Sequence, residues 1–400
     1  MESSAARTSR SRRSGGFSLD PSVSEPAGGA PLRVLHVGPV TSVHTQIAAL
    51  AYETLGAEAT FLNTRKDVSV SGIPGVPSAT DVVNPWSDEK PVVPGTGRGS
   101  SLAASAVQTA RYLGLRDQRL DRALLDLRST RRFDLVVGTW GLPVLEAMLA
   151  AQRVFNDAAM VYNVLTAPEL PLEGAGWRIG LWKGYLKLAW LAERAAYRRM
   201  LRKCHVRVHC SSEMCRYMRR EYDLEQHGID VIRVELFNRI FFPVRRRAKL
   251  SDRDNRPHVV HLGATNFSGR GIDNLSGPFQ RLAAAGINVH FASEADERTE
   301  GPEGSFCQRF PKVGGAVPGP ELAEFATQFD AAIILFNVER EYARFRNALP
   351  TRFLFALTTG IPIVLPHGLF LSCQEYVERH DIGLAYRSER DLAQSLADPA

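Results

Sequence analysis

Two short apolar runs, each closed by a glycine, open the two halves of the chain. The runs Arg33 to Gly38 and His258 to Gly263 each hold three aliphatic residues before the glycine. A helical pattern and a second apolar strand follow each run: Thr45 to Leu55 and Ala57 to Asn63 in the first half, Asp273 to Ala285 and Ile287 to Ala292 in the second. A strand, a helix and a strand in this order predict the opening unit of a parallel sheet in each half.

Strand and helix patterns alternate to the end of each half. The further strands predicted in the first half are Asp134 to Val137, Ala159 to Asn163, Val206 to Cys210 and Ile229 to Val234, and its helices are Leu102 to Leu113, Gln118 to Ser129, Leu142 to Phe155, Trp177 to Leu201 and Glu213 to Tyr222. In the second half the strands are Ala331 to Phe336, Ile361 to Leu365 and Gly383 to Tyr386, and the helices are Pro320 to Gln328, Thr351 to Thr359, Gln374 to His380 and one from Ser388. The pattern predicts an α/β protein with two Rossmann-like domains facing a cleft, where ligands bind beyond the carboxyl ends of the strands.

Segments without apolar periodicity mark the boundaries. Residues 1–30 are rich in Ser, Gly and Pro, contain four arginines and lack the apolar core of about 7 to 15 residues that a secretory signal needs. Residues 66–99 are dense in Pro, Gly, Ser and Asp and predict a long irregular loop. We therefore predict a disordered basic tail over residues 1–30, a first domain over 31–238, a linker over 239–256 and a second domain over 257–400.

Cysteine usage indicates the compartment. The five cysteines are an odd number and include no Cys-x-x-Cys pair, which is typical of a reducing compartment and predicts a cytoplasmic protein. No run approaches the roughly 18 apolar residues that a membrane span requires. His209 and Cys210 are neighbours on a predicted strand and therefore point to opposite faces, so no metal site is expected there.

Positive charge is concentrated between Trp177 and Arg220. The segment contains twelve Lys and Arg and only two Glu, and its net positive charge is therefore larger than the net charge of +6 of the whole chain. The aromatic residues Trp177, Trp182, Tyr185 and Trp190 lie among these cations. Helical spacing is followed by Trp177, Leu181, Tyr185, Leu188 and Ala192. One interpretation is a core helix with a solvated basic face, and the other is a surface that binds anionic lipid at the inner membrane face. Nucleic acid is not expected as the partner, because no DNA- or RNA-binding motif accompanies the charge.

The segment from Asn347 to Pro366 is the best candidate for chemistry. A polar loop ends at Pro350, a short helix runs from Thr351, and Gly360 closes it before a buried strand. The helix N-terminus offers backbone N–H groups and a positive dipole end to an anion. The glycine supplies a left-handed cap. By itself the pattern fits both an anion site and an ordinary αβ unit of a parallel sheet.

Short motifs in both halves resemble GT-B glycosyltransferases, and most closely the large retaining family that includes sucrose- and mannosyl-transfer enzymes. The resemblance covers about Leu32 to Leu396. It is carried by Leu35 to Pro39, His44 with Ala48 to Ala51, Phe133 to Val137, Glu193 with Cys210 to Ser212, Leu236 to Asn238 with Phe242 and Pro243, Gly263 with Arg270 to Ile272 and Leu275, and the segment from Asn347. It implies metal-independent sugar transfer, without a further cofactor, from a nucleotide sugar to a saccharide, lipid or small-molecule acceptor.

The resemblance also assigns expected roles to residues of this chain. Arg270 and Arg352 would stabilise the leaving diphosphate, and His44 would face the reacting sugars. The other donor-binding candidates are Gly263, Thr265, Asn266, Asn347, Thr351 and Gly360, and the acceptor-side candidates are Gly38, Asn163 and Glu169.

The departures from the family pattern fall on the donor site. Asn347 and Phe355 occupy the positions of two family glutamates spaced eight apart, and Phe355 cannot bind a ribose hydroxyl. Ala264 stands where the family has an arginine, while Arg270 keeps the charge of the family lysine. An alternative function therefore stays open, in which a non-catalytic GT-B-like protein binds a partner or a membrane through its basic face.

Overall fold

The computed structural model describes most of the chain after its first 29 residues. The described residues are 30–65, 81–86, 107, 109–139, 142–165, 180–233, 244–263, 267, 274–294, 302–310, 320–337 and 343–397. For residues 43, 142–143, 180–187, 292–294, 308–310, 320–321 and 343–344 only the backbone is described. The predicted tail, residues 1–30, lies almost entirely outside these ranges.

The first sheet has seven strands in the order β3-β2-β1-β4-β5-β6-β7. They are β1 (Arg33–Gly38), β2 (Glu58–Asn63), β3 (Asp81–Val83), β4 (Leu135–Thr139), β5 (Ala159–Val164), β6 (Val206–His209) and β7 (Ile229–Ile232). Its helices are α1 (Val43–Thr54), α2 (Gln118–Thr130), α3 (Leu142–Val154), α4 (Gly180–Arg202) and α5 (Ser212–Tyr222), and residues 109–113 are also helical.

The second sheet has six strands in the order β10-β9-β8-β11-β12-β13. They are β8 (His258–His261), β9 (Asn288–Glu294), β10 (Ser305–Phe310), β11 (Ala331–Ile333), β12 (Ile363–Pro366) and β13 (Gly383–Tyr386). Its helices are α6 (Ser251–Asp254), α7 (Ser276–Ala284), α8 (Pro320–Ala326), α9 (Ala343–Arg346), α10 (Thr351–Thr359), α11 (Leu371–His380) and α12 (Glu389–Ala397).

Neighbouring strands of both sheets run parallel throughout the described residues, which confirms the prediction of two Rossmann-like domains. Helices cover both faces of such sheets, so the central strands bury both of their faces and are rich in aliphatic residues. Val34 and Leu35 in β1 and Val259 and Val260 in β8 are fully buried, although neighbours in sequence point to opposite faces.

Two helix ends are capped by residues close to them in the sequence. The Ser42 side chain accepts a hydrogen bond from the Thr45 amide at the start of α1. Gly360 ends α10 with a φ of 65°, as the predicted left-handed cap requires.

Two strands were missed by the sequence analysis. Asp81–Val83 lies inside the predicted irregular loop, and Ser305–Phe310 was assigned to no element. Both are outermost strands of their sheets. The outermost strands β7 and β13 were predicted, so an edge position alone does not explain the two misses. β3 has only three residues, in a segment rich in Pro, Gly, Ser and Asp. In β10 the residues Gln308 and Arg309 interrupt the apolar run, and Phe306 is 45% exposed.

The described part of the predicted linker is attached to the second domain. The Arg247 amide donates to Thr327 Oγ1 at 2.9 Å, and the Leu250 amide donates to the Gln328 carbonyl at 2.9 Å. Residues 239–243 lie outside the described ranges, and the domain boundaries stay predictions.

The two domains meet at the carboxyl edges of their sheets. Cys210 directly follows the carboxyl end of β6, and its carbonyl accepts a hydrogen bond of 2.9 Å from the Tyr376 hydroxyl. Tyr376 lies in α11, the helix that follows the carboxyl end of β12. The carboxyl edges therefore face one cleft, where the sequence analysis places the ligands.

Candidate functional site

Arg352 spans the point where the strand order of the second sheet reverses. The order changes direction between β8 and β11, and doubly wound sheets bind ligands in the crevice beyond such a point. Arg352 Nη1 lies 2.9 Å from His261 Nε2, at the end of β8, and 2.8 Å from the Leu335 carbonyl, just beyond β11. The arginine therefore bridges the two strands that form the crevice.

Phe336 and Gly263 enclose the same guanidinium. The Arg352 Cζ atom lies 4.0 Å from the centroid of the Phe336 ring, in the range of a cation–π contact. A Cβ atom built on Gly263 would lie 2.7 Å from Arg352 Nε and 2.8 Å from its Cζ. Real Cβ atoms do not approach other atoms this closely, so the position requires glycine while Arg352 keeps this conformation.

The His261 side chain is a neutral imidazole that accepts a hydrogen bond from Arg352. The guanidinium is always protonated and can only donate, so His261 Nε2 must be the acceptor. The second nitrogen, Nδ1, then carries the proton and faces the Ile333 carbonyl at 3.3 Å. His261 is fully buried and was not predicted as a site residue. Its signal in the sequence was a polar residue at the last position of a buried strand, two residues before Gly263.

The N-terminus of α10 lies beside this arginine. Pro350 precedes the helix without a side-chain cap, and Thr351, the first helical residue, is exposed. Arg352 follows directly, so a cation and the positive end of a nine-residue helix occupy the same place. This combination is suited to an anion with several oxygens, such as a diphosphate.

Asn347 and Phe355 are both buried, but in different surroundings. The Asn347 carbonyl accepts a 2.6 Å hydrogen bond from the Ser372 hydroxyl. Phe355 is 1% exposed and belongs to the apolar core under α10. The position of the second family glutamate is therefore filled by a core side chain.

Several predicted donor residues are placed elsewhere or not described. Gly360 lies at the opposite end of α10 from Thr351, about 13 Å along a helix that rises about 1.5 Å per residue, and its capping conformation accounts for the glycine. Arg270, Thr265 and Asn266, and on the acceptor side Glu169, lie outside the described residues, and their roles stay predictions.

Gly38 and His44 lie at the carboxyl edge of the first sheet. A Cβ atom on Gly38 would lie 3.2 Å from Thr45 Oγ1 and 3.4 Å from the Thr139 carbonyl, so this glycine permits close packing of α1 and β4. His44 lies in the first turn of α1 and is half-buried. Asn163, also half-buried, is the second-last residue of β5.

Arg65 adds a cation to this edge that the sequence analysis missed. Asn63 Oδ1, at the end of β2, accepts from the Arg65 amide at 3.2 Å. Arg65 Nη1 lies 3.4 Å from Thr41 Oγ1, in the turn between β1 and α1. The side chain is thus placed beside the N-terminus of α1, at the carboxyl edge of the first sheet.

The basic segment is less uniform than the sequence suggested. Arg207, one of the twelve cations, is fully buried and pairs with Asp230, with Nε to Oδ1 at 2.8 Å and Nη2 to Oδ2 at 3.1 Å, so its charge does not contribute to a basic surface. Arg194 forms an ion pair with Glu221 at 2.8 Å. Trp177 lies outside the described residues, and only the backbone is described for residues 180–187.

Asp230 is also close to the two other members of a cluster that resembles a metal site. His209 Nε2 lies 2.8 Å from Asp230 Oδ1, and Cys215 Sγ lies within 4.8 Å of both groups. Although burial raises the pKa of Asp230, the hydrogen bonds from His209 and Arg207 outweigh it and keep that pKa below its usual range. Arg207 supplies positive charge at the place where a metal ion would lie, which disfavours a cation there.

A cavity of about 1110 Å³ lies away from the cleft. Its lining includes Arg33, Glu58 and Phe133, which are at or before the amino ends of β1, β2 and β4. Ligands of parallel sheets bind at the opposite edge, so size alone does not make this cavity the active site.

The comparisons with known proteins concern the fold. No protein-family model and no curated protein matches this chain. A sucrose-phosphate synthase from Thermosynechococcus elongatus aligns with a TM-score of 0.55 at 11% identity, over 92% of this chain and 90% of that one. A UDP-forming alpha,alpha-trehalose-phosphate synthase from Burkholderia vietnamiensis gives 0.53 at 10% identity, over 92% and 91%. The corresponding enzyme from Burkholderia xenovorans, in complex with glucose-6-phosphate, gives 0.51 at 11% identity, over 93% of each chain.

These likenesses span at least 90% of each of the chains compared. Together with the two parallel sheets and the cleft between their carboxyl edges, they show that the chain has the GT-B fold, as predicted from its sequence motifs. Among the described helices none is both long and apolar enough to cross a membrane.

Proposed function

We propose that this protein is a glycosyltransferase that moves a sugar from a nucleoside-diphosphate sugar to an acceptor bound in the cleft. The observation that carries the proposal is the placement of Arg352. Its guanidinium lies across the crevice of the second sheet, against the Gly263 turn and beside the N-terminus of α10. The GT-B fold and the nucleotide-sugar chemistry in the names of the trehalose-phosphate synthases support the same function.

In the proposed reaction the bond between the sugar C1 atom and the diphosphate oxygen breaks. The negative charge that develops on the diphosphate is stabilised by Arg352, by the N-terminus of α10 and by Arg270. An acceptor hydroxyl oxygen forms the new bond to C1, and its proton goes to the departing phosphate oxygen. Groups that stabilise developing charge in this way each contribute about 10²- to 10³-fold in rate. The cations are side chains, so the proposal includes no metal ion or further cofactor.

The acceptor is proposed to bind at the carboxyl edge of the first sheet. His44, Asn163 and the Gly38 turn lie along this edge, and Glu169 follows the end of β5 in the sequence. A saccharide, a lipid-linked sugar or a small molecule would each present the hydroxyl that the reaction needs. Transfer with retention of the anomeric configuration is proposed on the resemblance to the retaining family, and NMR of the product anomer tests it.

A location on the inner face of an anionic membrane is proposed for the same enzyme. Apart from the buried Arg207, eight Lys and Arg side chains lie between residues 194 and 223, against the three accessible carboxylates Glu213, Glu221 and Asp223. Leu188 and Leu191 are 51% and 47% exposed on α4. Excess cations beside exposed apolar side chains are the chemistry of a helix that lies at a lipid surface.

The second candidate function is a non-catalytic GT-B protein, and the burial of Phe355 favours it. A glutamate that would hold the ribose is replaced there by a core side chain. The two functions differ in whether the cleft binds and turns over a nucleotide sugar.

The first experiment is a thermal-shift screen with UDP, GDP and ADP, followed by hydrolysis or transfer assays with UDP-, GDP- and ADP-sugars. A ligand that binds only the folded protein adds about 2.7 kcal/mol of stability at 100 times its dissociation constant. Stabilisation by one nucleotide together with turnover of its sugar supports the transferase. Binding without turnover supports the non-catalytic protein, and no stabilisation by any of the three contradicts a nucleotide site.

A further inference from the structure

A carboxylate of the second domain caps the N-terminus of a helix in the first domain. Glu375, in α11, accepts hydrogen bonds from the Ser212 hydroxyl and, at 3.3 Å, from the Glu213 amide, both in the first turn of α5. A negative charge at a helix N-terminus is favourable because of the unpaired amides and the helix dipole. In most helices that charge comes from the same segment, whereas here it depends on the two domains being in contact.

Two buried serines continue this contact into the donor segment. The Met214 amide donates to Ser211 Oγ at 3.0 Å, and Ser372 Oγ donates to the Asn347 carbonyl at 2.6 Å. The two serine oxygens are 2.5 Å apart. Because Ser372 gives its proton to a carbonyl, Ser211 must donate to Ser372. An unbroken chain of hydrogen bonds therefore runs from α5 of the first domain to Asn347 of the second.

Besides Ser372, the Asn347 carbonyl has another hydrogen-bond partner, and this one belongs to the first domain. Cys210 Sγ lies 3.7 Å from it, and burial raises the pKa of Cys210 to about 11, so the thiol keeps the proton that it donates. Asn347 is five residues before Arg352, in the segment that leads into α10. Cys373 Sγ, beside Ser372 in α11, contacts the next carbonyl, that of Ala348, at 3.8 Å. The domain contact and the donor site thus share one short segment.

We infer that Ser372 and Glu375 are positioning residues that couple nucleotide binding at Arg352 to the contact between α5 and α11. Separation of the domains at this contact would remove the Ser211 and Cys210 partners and release the segment that places Arg352. Nucleotide binding and domain contact must then strengthen each other by the same factor. The inference rests on the proposed function, because it names how the same donor site is held.

The Glu213 amide is a direct reporter of the contact, since its hydrogen-bond partner belongs to the other domain. Hydrogen exchange at this amide is measured in the wild-type chain with and without saturating nucleotide, using whichever of UDP, GDP and ADP binds most tightly. We expect the nucleotide to slow the exchange at least fivefold, the lower end of typical coupling. Glu375→Gln and Ser372→Ala should weaken nucleotide binding by a similar factor. Glu378→Gln, a control on the same helix whose partner Gln374 is in its own domain, should not.

The outcomes separate the coupling from the proposed function. If a nucleotide binds in an Arg352-dependent way while Glu213 exchange and the affinity of Glu375→Gln stay unchanged, the coupling is overturned and the donor site stands. If no nucleotide binds the wild-type chain, the proposed function fails and the coupling fails with it. The exchange measurement on the wild-type chain needs no variant, so a substitution that fails to fold does not remove the test.

Discussion

His261 and Arg352 form a 2.9 Å hydrogen bond between the last residue of a buried strand and the first turn of a helix 91 residues later. The histidine accepts the hydrogen bond through Nε2, because a guanidinium has no acceptor. The other ring nitrogen of the histidine, Nδ1, faces the Ile333 carbonyl. The pair fixes the guanidinium in the crevice of the second sheet, against Phe336 and the Gly263 turn. This fixed cation is the centre of the proposed donor site.

Replacing His261 should therefore weaken nucleotide binding without removing the arginine. His261→Phe deletes the acceptor and should cost about 1 kcal/mol in nucleotide affinity, the typical value of one hydrogen bond. His261→Gln, whose amide oxygen can accept, should recover part of the loss. Calorimetric titration of the three proteins checks this, and equal affinity in all of them would show that Arg352 is placed without the histidine.

Gly263→Ala should act through the same guanidinium. The added Cβ would meet Arg352 Nε and Cζ inside 3 Å, and the side chain would have to leave its present position. We expect nucleotide affinity to fall severalfold with a small change in melting temperature. Gly277→Ala is the matched control, because its Cβ would lie 3.6 Å from Arg281 Nη1, an ordinary contact. Unchanged affinity in Gly263→Ala would contradict the close packing of Arg352 against the turn.

Asp230→Asn should destabilise the first domain. It leaves the fully buried Arg207 without a counter-charge, and breaking a buried pair costs about 3 to 5 kcal/mol. Asp230 is partly exposed, so we expect about 3 kcal/mol in the free energy of unfolding by urea. Asp157→Asn, which removes the exposed pair with Arg128, is the control and should change little. Equal stability of the two variants would mean that Arg207 is satisfied by its other partners.

The same pair gives a pH dependence with a defined sign. The pKa of Asp230 is lower in the folded protein than its usual value near 4. A lowered folded pKa contributes stability that is present above the unfolded pKa and is lost as pH falls through the folded one. The stability difference between the wild-type chain and Asp230→Asn should therefore shrink below about pH 4, as urea unfolding at several pH values can show.

Lipid binding should depend on the accessible cations of α4 and α5 and on Lys203, which directly follows α4. Each Lys or Arg near an anionic surface contributes about 1 kcal/mol, and the attraction is screened over a Debye length of about 8 Å at physiological salt. Lys203→Glu and Arg220→Glu should reduce co-flotation with phosphatidylserine liposomes, and added salt should do the same. Arg253→Glu, an exposed residue of the second domain, is the control. Co-flotation that changes neither with salt nor with the first two substitutions would remove the membrane from the proposal.

Much of the fold could be predicted because the central strands are buried on both faces and read as aliphatic runs. β1, α10 and β13 begin and end at the predicted residues. The strands β3 and β10 could not be predicted in this way, although the edge strand β13 was, because β3 has only three residues and Gln308 and Arg309 interrupt the apolar residues of β10.

The site was predicted in part. Arg352 was selected from the resemblance to GT-B glycosyltransferases, and the structure places it at the crevice of the second sheet. Its role stays a prediction. His261 was missed because its partner Arg352 lies 91 residues away in the sequence. Arg65 was missed because its contact with Thr41 depends on how the turn after β1 lies against the end of β2. The burial of Arg207 was missed because its pairing with Asp230 depends on the register between β6 and β7.

The central claim is tested most directly by calorimetric titration of Arg352→Ala with the nucleotide that best stabilises the wild-type chain. Arg281→Ala is the matched control, an exposed arginine of the same domain that pairs with Glu389. Hydrogen bonds to charged groups contribute about 1.5 to 3 kcal/mol, so Arg352→Ala should bind at least tenfold more weakly while Arg281→Ala binds like the wild-type chain. If Arg352→Ala, still folded, binds the nucleotide as tightly as the control, the donor site does not lie at the crevice between β8 and β11.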